Sequence, residues 1–196
     1  NQDDENQDDE NQDDENVFLP MNSAQERMWF LQKLQPDSTV YTIPFAARIK
    51  SEIEHNDVQK VFSLLEHRHD ALRLRMPEKM EISSLQQKLG TPGSLVVDYQ
   101  DYTNMPDAEE KVSDAISKER QKPFRFGYDE PVMRIVLFKV KSNESILFIN
   151  MHHIIFDGVS ASVILRELQQ AFKAVKTNCS PQWKELSLSY SEYLKN

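Results

Sequence analysis

The chain has 196 residues, of which 39% are hydrophobic and 28% are charged, proportions that suit a soluble globular protein. No apolar run approaches the roughly 20 residues that cross a bilayer, and the acidic N-terminus is unlike a signal peptide. A single cysteine excludes an internal disulfide and indicates a reducing compartment. We therefore expect a cytoplasmic protein without a membrane partner.

The net charge of -9 is concentrated at the N-terminus. Residues 1–16 are three copies of Asn-Gln-Asp-Asp-Glu followed by Asn16, with nine acidic residues and no basic one. Such a segment has nothing to bury, so we expect a disordered acidic tail or linker over 1–16 and a folded domain over 17–196. That domain carries 23 acidic and 23 basic residues. Its formal neutrality gives no field that would attract nucleic acid.

The first folded elements are predicted to be a helix and an edge strand. Ser23 and Glu26 have the spacing of a capping box, in which Ser23 caps the helix. Apolar residues then repeat at helical spacing until Pro36 ends the helix: Ala24, Met28, Leu31 and Leu34. Residues 41–49 are typical of a strand, and Pro44 within them indicates an edge or a bent start.

The middle of the chain continues the alternation of helices and strands. A second helix is predicted to begin at Asp57, and four apolar residues share one of its faces: Val58, Val61, Phe62 and Leu65. Apolar residues alternate with arginines over 71–76, which predicts a half-exposed strand. Residues 94–99 are typical of another short strand, and the spacing over 108–120 predicts a third helix.

The last third of the chain predicts a hairpin and a long helix. Residues 132–140 and 145–153 form the two strands of the hairpin, and the second strand is apolar on both faces, as in a buried central strand. Residues 159–175 carry the clearest apolar stripe of a helix. Because helices and strands alternate, we predict an α/β fold with a mixed central sheet and flanking helices.

Two adjacent histidines, His152 and His153, end the predicted central strand. Side chains alternate between the faces of a strand, so the two imidazoles should point in opposite directions. A metal site that uses both histidines is therefore disfavoured, and a third ligand at Asp157 has no cysteine or further histidine near it in sequence. Two interpretations remain: a pair of core histidines beside a turn aspartate, or one imidazole that accepts a proton at neutral pH.

At these residues the sequence resembles the condensation domains of nonribosomal peptide synthetases. Their signature, His-His-x-x-x-Asp-Gly, is matched in full by His152, His153, Asp157 and Gly158. Their opening motif is Ser-x-Ala-Gln-x-Arg-Met-Trp-x-Leu, and Asn22 replaces its serine. The other positions of that motif are matched by Ala24, Gln25, Arg27, Met28, Trp29 and Leu31.

Two further motifs extend the resemblance over about residues 17–196. The second motif of the family is Arg-His-Glu-x-Leu-Arg-Thr-x-Phe, in which Asp70 replaces the glutamate and Leu74 and Met76 depart from the pattern. Its matching residues are Arg68, His69, Leu72 and Arg73. The fourth motif, Tyr-x-Asp-Tyr-Ala-x-Trp, survives in part as Tyr190, Glu192 and Tyr193.

The resemblance implies a lobe of the chloramphenicol acetyltransferase-like fold, with the histidine motif at the floor of a tunnel between two lobes. Donor and acceptor peptidyl carrier domains would present thioesters on phosphopantetheine arms. The complete domain would join the donor acyl or peptidyl group to the acceptor amino group through an amide bond. The domain itself would bind neither a cofactor nor a metal.

The resemblance also assigns roles around the histidines. His153 would be the catalytic residue, either as a general base or as a hydrogen-bonding positioner of the attacking amine. His152 would support the loop from the other face. Gly158 would let the backbone approach closely, so that the thioester oxygen lies near the start of the following helix.

An ion pair is implied at Asp157. This residue would be structural, because a carboxylate at the start of a helix can be held by the helix N-terminus or by an arginine. The resemblance implies an arginine of the second motif, with Arg68 as the first choice and Arg73 as the second. Asp157 would then support the loop that follows His153.

The length departs from the family, because 196 residues are about half of a usual condensation domain. The chain would be an N-terminal lobe that needs a C-terminal lobe, adjacent synthetase domains and two carrier domains as partners. We expect the lobe alone to be inactive or nearly so. Two alternatives stay open: a related acyltransferase with a coenzyme A donor, and a carrier-binding fragment without catalysis.

Overall fold

The computed structural model describes residues 17–80, 85–156, 160–184, 186 and 189–195, so the tail expected over 1–16 lies outside the described residues. The strands are β1 (Val17–Pro20), β2 (Thr42–Ile49), β3 (Leu74–Arg75), β4 (Gln86–Leu89), β5 (Val97–Asp101), β6 (Met133–Lys141) and β7 (Glu144–His152). The helices are α1 (Ser23–Leu34), α2 (His55–Arg68), α3 (Ala108–Gln121), α4 (Ala161–Thr177) and α5 (Tyr190–Lys195). None of these helices is long and apolar enough to span a membrane.

Two sheets organise the described residues. The larger sheet has the strand order β2-β7-β6-β5, in which β5 and β6 are parallel and the other neighbours are antiparallel. The predicted mixed sheet is therefore confirmed. The smaller sheet has the order β1-β4-β3 and is antiparallel. Within the described larger sheet β2 is an edge strand, which is the position that tolerates Pro44.

Helices cover both faces of the larger sheet. On one face α2 and α4 pack against the main core, and α2 contributes four fully buried residues, as predicted: Val58, Val61, Phe62 and Leu65. On the other face α3 packs in a smaller cluster: Val112, Val136, Phe138, Val140, Ile146 and Phe148. β7 is consequently buried on both faces, as expected for the central strand.

The capping box of α1 lies one residue earlier than predicted. Asn22 is the N-cap: its side-chain oxygen accepts from the N–H of Gln25 at 2.9 Å, and the Gln25 side chain accepts from the N–H of Asn22 at 3.2 Å. The prediction of a cap at Ser23 with Glu26 as its partner is wrong. Both pairs have suitable residue types, so the course of the backbone decides between them.

The apolar repeat that predicted α1 marks the outer side of the helix. Its members are exposed or half-buried: Ala24, Met28, Leu31 and Leu34. The inner side is formed by the buried side chains of Gln25, Trp29 and Gln32. Trp29 is anchored there by a hydrogen bond of 2.7 Å from Nε1 to the carbonyl of Pro77. Polar side chains can occupy a buried face where they find partners, so the repeat predicts the helix but not its orientation.

The half-exposed strand predicted over 71–76 is wrong. Asp70–Arg73 is a 3₁₀ turn, and only the two residues of β3 pair with β4. Arg75 is 5% exposed, because its guanidinium donates to the carbonyl of Leu74 at 3.2 Å and to Oγ of Ser94 at 3.1 Å. Alternating arginines therefore do not mark a solvated face here, since a guanidinium can use protein oxygens in place of water.

The other predicted elements are found within a few residues of their predicted ends. The hairpin is formed by β6 and β7, whose last pair is Lys141 with Glu144. The short strands β1 and β4 were not predicted. Four residues of mixed polarity carry too little periodicity to separate a strand from a loop.

His152 closes β7 as a fully buried residue. Its ring packs edge-on against Phe126, with 5.1 Å between centroids, and its Nε2 lies 3.1 Å from Oε1 of Gln32. Its Nδ1 accepts the N–H of Ile154 at 3.1 Å. Burial in the first place, and the neighbouring His153 in the second, lower the pKa of His152 to about 3. The imidazole is therefore neutral in the folded protein near pH 7.

The position of the cap predicts a difference between two neighbouring substitutions. Asn22→Ala should lower the free energy of unfolding by about 1 to 2 kcal/mol, because the N–H of Gln25 loses its acceptor. Ser23→Ala changes an exposed residue and should lower it by less than about 0.5 kcal/mol. Chemical denaturation of both variants measures the two effects. A larger loss for Ser23→Ala would contradict the assignment of the cap.

The burial of His152 predicts a loss of stability in mild acid. Its pKa of about 3 lies below the ordinary 6.5, so only the unfolded chain takes up this proton as the pH falls through 6.5. From about pH 7.5 to about pH 5 the free energy of unfolding should fall by about 2 kcal/mol through this residue. Urea unfolding of the wild type and of His152→Gln at both pH values measures the effect. An equal pH dependence of the two proteins would refute it.

Candidate active site

The two histidines at the end of β7 have different surroundings. His152 is the buried last residue of β7, whereas His153 begins a 3₁₀ turn, His153–Ile155, and its side chain is exposed. The backbone N–H of His153 donates to the carbonyl of Tyr41 at 2.7 Å. The imidazoles are separated as the strand alternation predicts. Over the described ranges, no three potential metal ligands come together.

His153 is linked through its backbone and Tyr41 to an open groove. Its ring makes an edge contact with Phe156 at 5.6 Å between centroids. Tyr41, whose carbonyl accepts from the His153 N–H, also lines a groove of about 500 Å³ beside the outer side of α1. The lining residues are Ser23, Ala24, Arg27, Met28, Leu31 and Tyr41. A volume of this size is typical of sites that bind small molecules.

Asp157 and Gly158 complete the sequence signature but lie outside the described residues. The description resumes at Ser160, whose side chain caps α4 by accepting from the N–H of Val163 at 3.3 Å. The loop between His153 and α4 is therefore defined at both of its ends. The roles expected for Asp157 and Gly158 stay predictions.

Arg68 makes a bidentate ion pair with Glu167 on α4. Its Nε and Nη2 lie 2.8 and 3.1 Å from the two carboxylate oxygens. Nη2 also donates to the carbonyl of Lys184 at 2.6 Å, and the guanidinium lies 5.0 Å from the centre of the Trp183 ring. The expected pairing of Arg68 with Asp157 involves a residue outside the described ranges and stays a prediction.

Arg73 is directed to a different part of the lobe. Its Nε donates to the carbonyl of Glu66 at 3.1 Å and its Nη1 to the carbonyl of Gly90 at 2.7 Å. The backbones approach closely here, since the N–H of Gly90 donates to the carbonyl of Arg73 at 2.8 Å. A Cβ on Gly90 would lie 2.9 Å from that same oxygen. The hydrogen bonds described for Arg73 thus hold the chain after α2 against the end of β4.

The two residues after Arg68 in the second motif also make hydrogen bonds to distant elements, His69 to α4 and Asp70 to α5. Nε2 of His69 lies 2.5 Å from the carboxylate of Glu167. This buried carboxylate therefore contacts both Arg68 and His69. Burial opposes the charge of this carboxylate, but the hydrogen bonds from Arg68 and His69 lower the pKa of Glu167 below its ordinary value. Asp70 accepts from the first two N–H groups of α5, at 3.1 and 2.9 Å.

Sequence reasoning did not identify Glu167. Its signal is its place in α4, where it lies between the buried residues Ile164 and Leu168 on the inner side of the helix. An acidic residue within an apolar stripe must find a cationic partner, because an unpaired buried charge is very costly. The signal predicts a partner without naming it, and the partner comes from a helix about 100 residues away in the chain.

The fold is shared with solved condensation domains. A point mutant of the starter condensation domain of rhizomide synthetase superposes with a TM-score of 0.79 at 24% identity, over 91% of this chain and 42% of that chain. The first condensation domain of the calcium-dependent antibiotic synthetase gives a TM-score of 0.72 at 17% identity, again over 91% and 42%. These likenesses confirm the predicted chloramphenicol acetyltransferase-like lobe, and the chain spans about two fifths of each.

Sequence relatives are large peptide synthetases. The chain is 32% identical over 180 residues to a linear gramicidin synthase protein of Brevibacillus parabrevis, and 34% identical over 174 residues to cyclosporin synthetase of Tolypocladium inflatum. These matches cover 89% and 87% of the chain but only 3% and 1% of the two relatives. The family model described as Condensation domain matches residues 15–196. The chain therefore belongs to the condensation domain family, as its motifs indicate.

Proposed function

We propose that residues 17–196 are the N-terminal lobe of a condensation domain in a nonribosomal peptide synthetase. The complete domain would form an amide bond between a carrier-bound acyl or peptidyl thioester donor and a carrier-bound aminoacyl acceptor. The observation that carries the proposal is the exposed His153 at the end of a buried strand, within a full signature motif. The identity of 30–34% to three peptide synthetases supports it.

The proposed chemistry needs one mobile proton. The lone pair of the acceptor amine attacks the thioester carbonyl carbon, the C–S bond breaks, and the thiol leaves with the proton that the amine gives up. An α-amine has a pKa near 7.7–8, so its ammonium form first loses one proton to the solvent, and the neutral amine then attacks. As the amide forms, the nitrogen of this neutral amine gives up a further proton, which ends on the thiol. The imidazole of His153 would accept that proton or hold the amine by a hydrogen bond. The phosphopantetheine arms belong to the substrates, and the lobe needs no resident cofactor for this step.

The other motif residues would support His153. His152 would hold the turn from inside the protein as a neutral imidazole. Asp157 would hold the loop through an arginine, and Gly158 would allow close approach of the substrate. Arg68 already pairs with Glu167. Its guanidinium has five N–H donors, so Asp157 would have to accept from a donor that Glu167 does not use.

The proposed partners follow from the reaction. Two carrier domains would deliver the thioesters, a C-terminal lobe would close the open side next to His153, and adjacent synthetase domains would load the carriers. The relatives match this chain over a few per cent of their length or less, which leaves room for such domains in proteins of their kind. A cytoplasmic location suits a chain with one cysteine.

Substitution of His153 tests the catalytic assignment. In the complete synthetase His153→Ala should lower amide formation by roughly 100-fold or more, because the amine proton loses its acceptor. Carrier binding should be unchanged, because the imidazole is exposed and the ring contact described for it is with Phe156, next to its own turn. His67→Ala, at an exposed histidine of α2, is the matched control. Product formation by mass spectrometry and carrier affinity by titration give the readouts, and full turnover by His153→Ala would reject the role.

An assay of the lobe alone tests the need for the rest of the domain. The 196-residue chain should form little or no amide from two loaded carriers, because a single lobe would supply only one wall of the proposed tunnel. Adding a C-terminal lobe should restore turnover. Robust turnover by the chain alone would contradict the prediction. Turnover of an acyl-coenzyme A donor without a donor carrier would support the sister acyltransferase, and carrier binding without turnover by the complete protein would support a binding fragment.

A further inference from the structure

The inner side of α1 is unusual because it is largely polar. Gln25 and Gln32 are each 2% exposed, and Trp29 lies between them at 4%. The spacing of seven residues places both glutamines on one side of the helix, and α1 packs with this side against the turn that carries His153. Burying an amide costs free energy unless the amide is hydrogen-bonded. The hydrogen-bond partners of these two glutamines therefore indicate the role of the inner side of α1.

The amide of Gln32 has a defined orientation. Its Nε2 faces three backbone carbonyls, those of Gln35, Pro36 and Ser38, at 3.4, 3.4 and 3.2 Å. A carbonyl only accepts, so the nitrogen end of the amide must point towards this group. Its Oε1 therefore points the other way, and it lies 3.1 Å from Nε2 of His152.

The orientation of Gln32 selects one tautomer of His152. Nδ1 of His152 accepts the N–H of Ile154 at 3.1 Å, so it carries no proton. The proton of the neutral ring lies on Nε2, which donates to Oε1 of Gln32. Without that acceptor, the buried N–H of Nε2 would have no hydrogen-bond partner. The ring would then no longer be held in the tautomer in which Nδ1 accepts from Ile154.

Both the oxygen and the nitrogen of the Gln25 amide make two hydrogen bonds. Its Oε1 accepts from the N–H of Asn22 at 3.2 Å and from Nε2 of Gln87 at 2.9 Å. Its Nε2 donates to Oε1 of Gln87 at 3.0 Å and to the carbonyl of Ile154 at 3.4 Å. One buried side chain thus connects the cap of α1, the smaller sheet and the turn after β7.

The two glutamines therefore hold the same residue from both sides. The N–H of Ile154 donates to His152, and Gln32 selects the tautomer of His152 that accepts it. The carbonyl of Ile154 accepts from Gln25. Ile154 follows His153 directly, so its backbone sets the direction in which the exposed imidazole leaves the turn. We infer that Gln25 and Gln32 are positioning residues that fix the His153 turn in its reactive orientation, an inference that rests on the proposed function.

The test compares kinetic constants of variants of the complete synthetase. Gln25→Met and Gln32→Met keep the length of the side chains but remove the amides. Each should lower kcat roughly 10- to 100-fold, because small displacements of a catalytic group cost about that much. The KM for either loaded carrier should change by less than about twofold, since neither side chain faces the groove or the surface.

Two control variants separate positioning from a general loss of stability. Gln170→Met makes the same replacement at an exposed site of α4 and should leave both constants unchanged. Trp29→Phe removes the bond to Pro77 on the same inner side of α1 without removing a partner of the turn. Its melting temperature should fall while kcat per folded molecule stays near the wild-type value.

The outcomes distinguish this inference from the proposed function. His153→Ala is measured in parallel, and wild-type turnover by that variant would reject the role of His153 on which this inference rests. Absence of amide formation by the wild-type synthetase with both loaded carriers would reject the proposed function itself. Loss of turnover in His153→Ala together with wild-type kcat in Gln25→Met and Gln32→Met would overturn the positioning role alone. An equal loss of kcat in Trp29→Phe, or a rise in KM without a fall in kcat, would also overturn it.

Discussion

The pairing of β7 between β2 and β6 is the constraint on which the candidate site depends. With a partner strand on either side and helices over both faces, every residue from Ser145 to His152 is buried. The alternation of side chains directs His152 into the protein, and the end of the strand brings His153 to the surface. Two adjacent residues of the same type thus acquire different properties, a neutral internal imidazole and an exposed one.

The four motifs, although separated in sequence, meet around this strand end. Asn22 of the opening motif bonds through Nδ2 to the hydroxyl of Tyr190 in the fourth motif at 3.2 Å. Asp70 of the second motif caps the helix that begins at Tyr190. Gln25 reaches the carbonyl of Ile154 next to the histidines. These hydrogen bonds connect the four motifs, whereas four residues of the opening motif line the open groove: Ala24, Arg27, Met28 and Leu31.

Glu167 shows that the buried charged groups of the lobe need all of their hydrogen-bond partners. Its buried carboxylate binds both Arg68 and His69, so α4 is tied to the end of α2. Loss of one member would leave a buried charge without its partner, which typically costs about 3–5 kcal/mol. In the proposed enzyme the loop between β7 and α4 would thus start from one fixed element and end on another, while the groove beside α1 stays open to an incoming arm.

The fold class, the central position of β7 and the resemblance to the family were predictable from the sequence, which also offered an edge position as one of two interpretations of β2. The sequence also separated His152 from His153. These features depend on local periodicity and on residue identity at fixed spacing, both of which a single sequence contains. The three-dimensional structure was needed to establish that Gln25 and Gln32 face inward, that Asp70–Arg73 is a 3₁₀ turn and that Arg68 binds Glu167. A buried polar side chain is stable only when distant segments supply its partners, and local spacing does not reveal which segments those are.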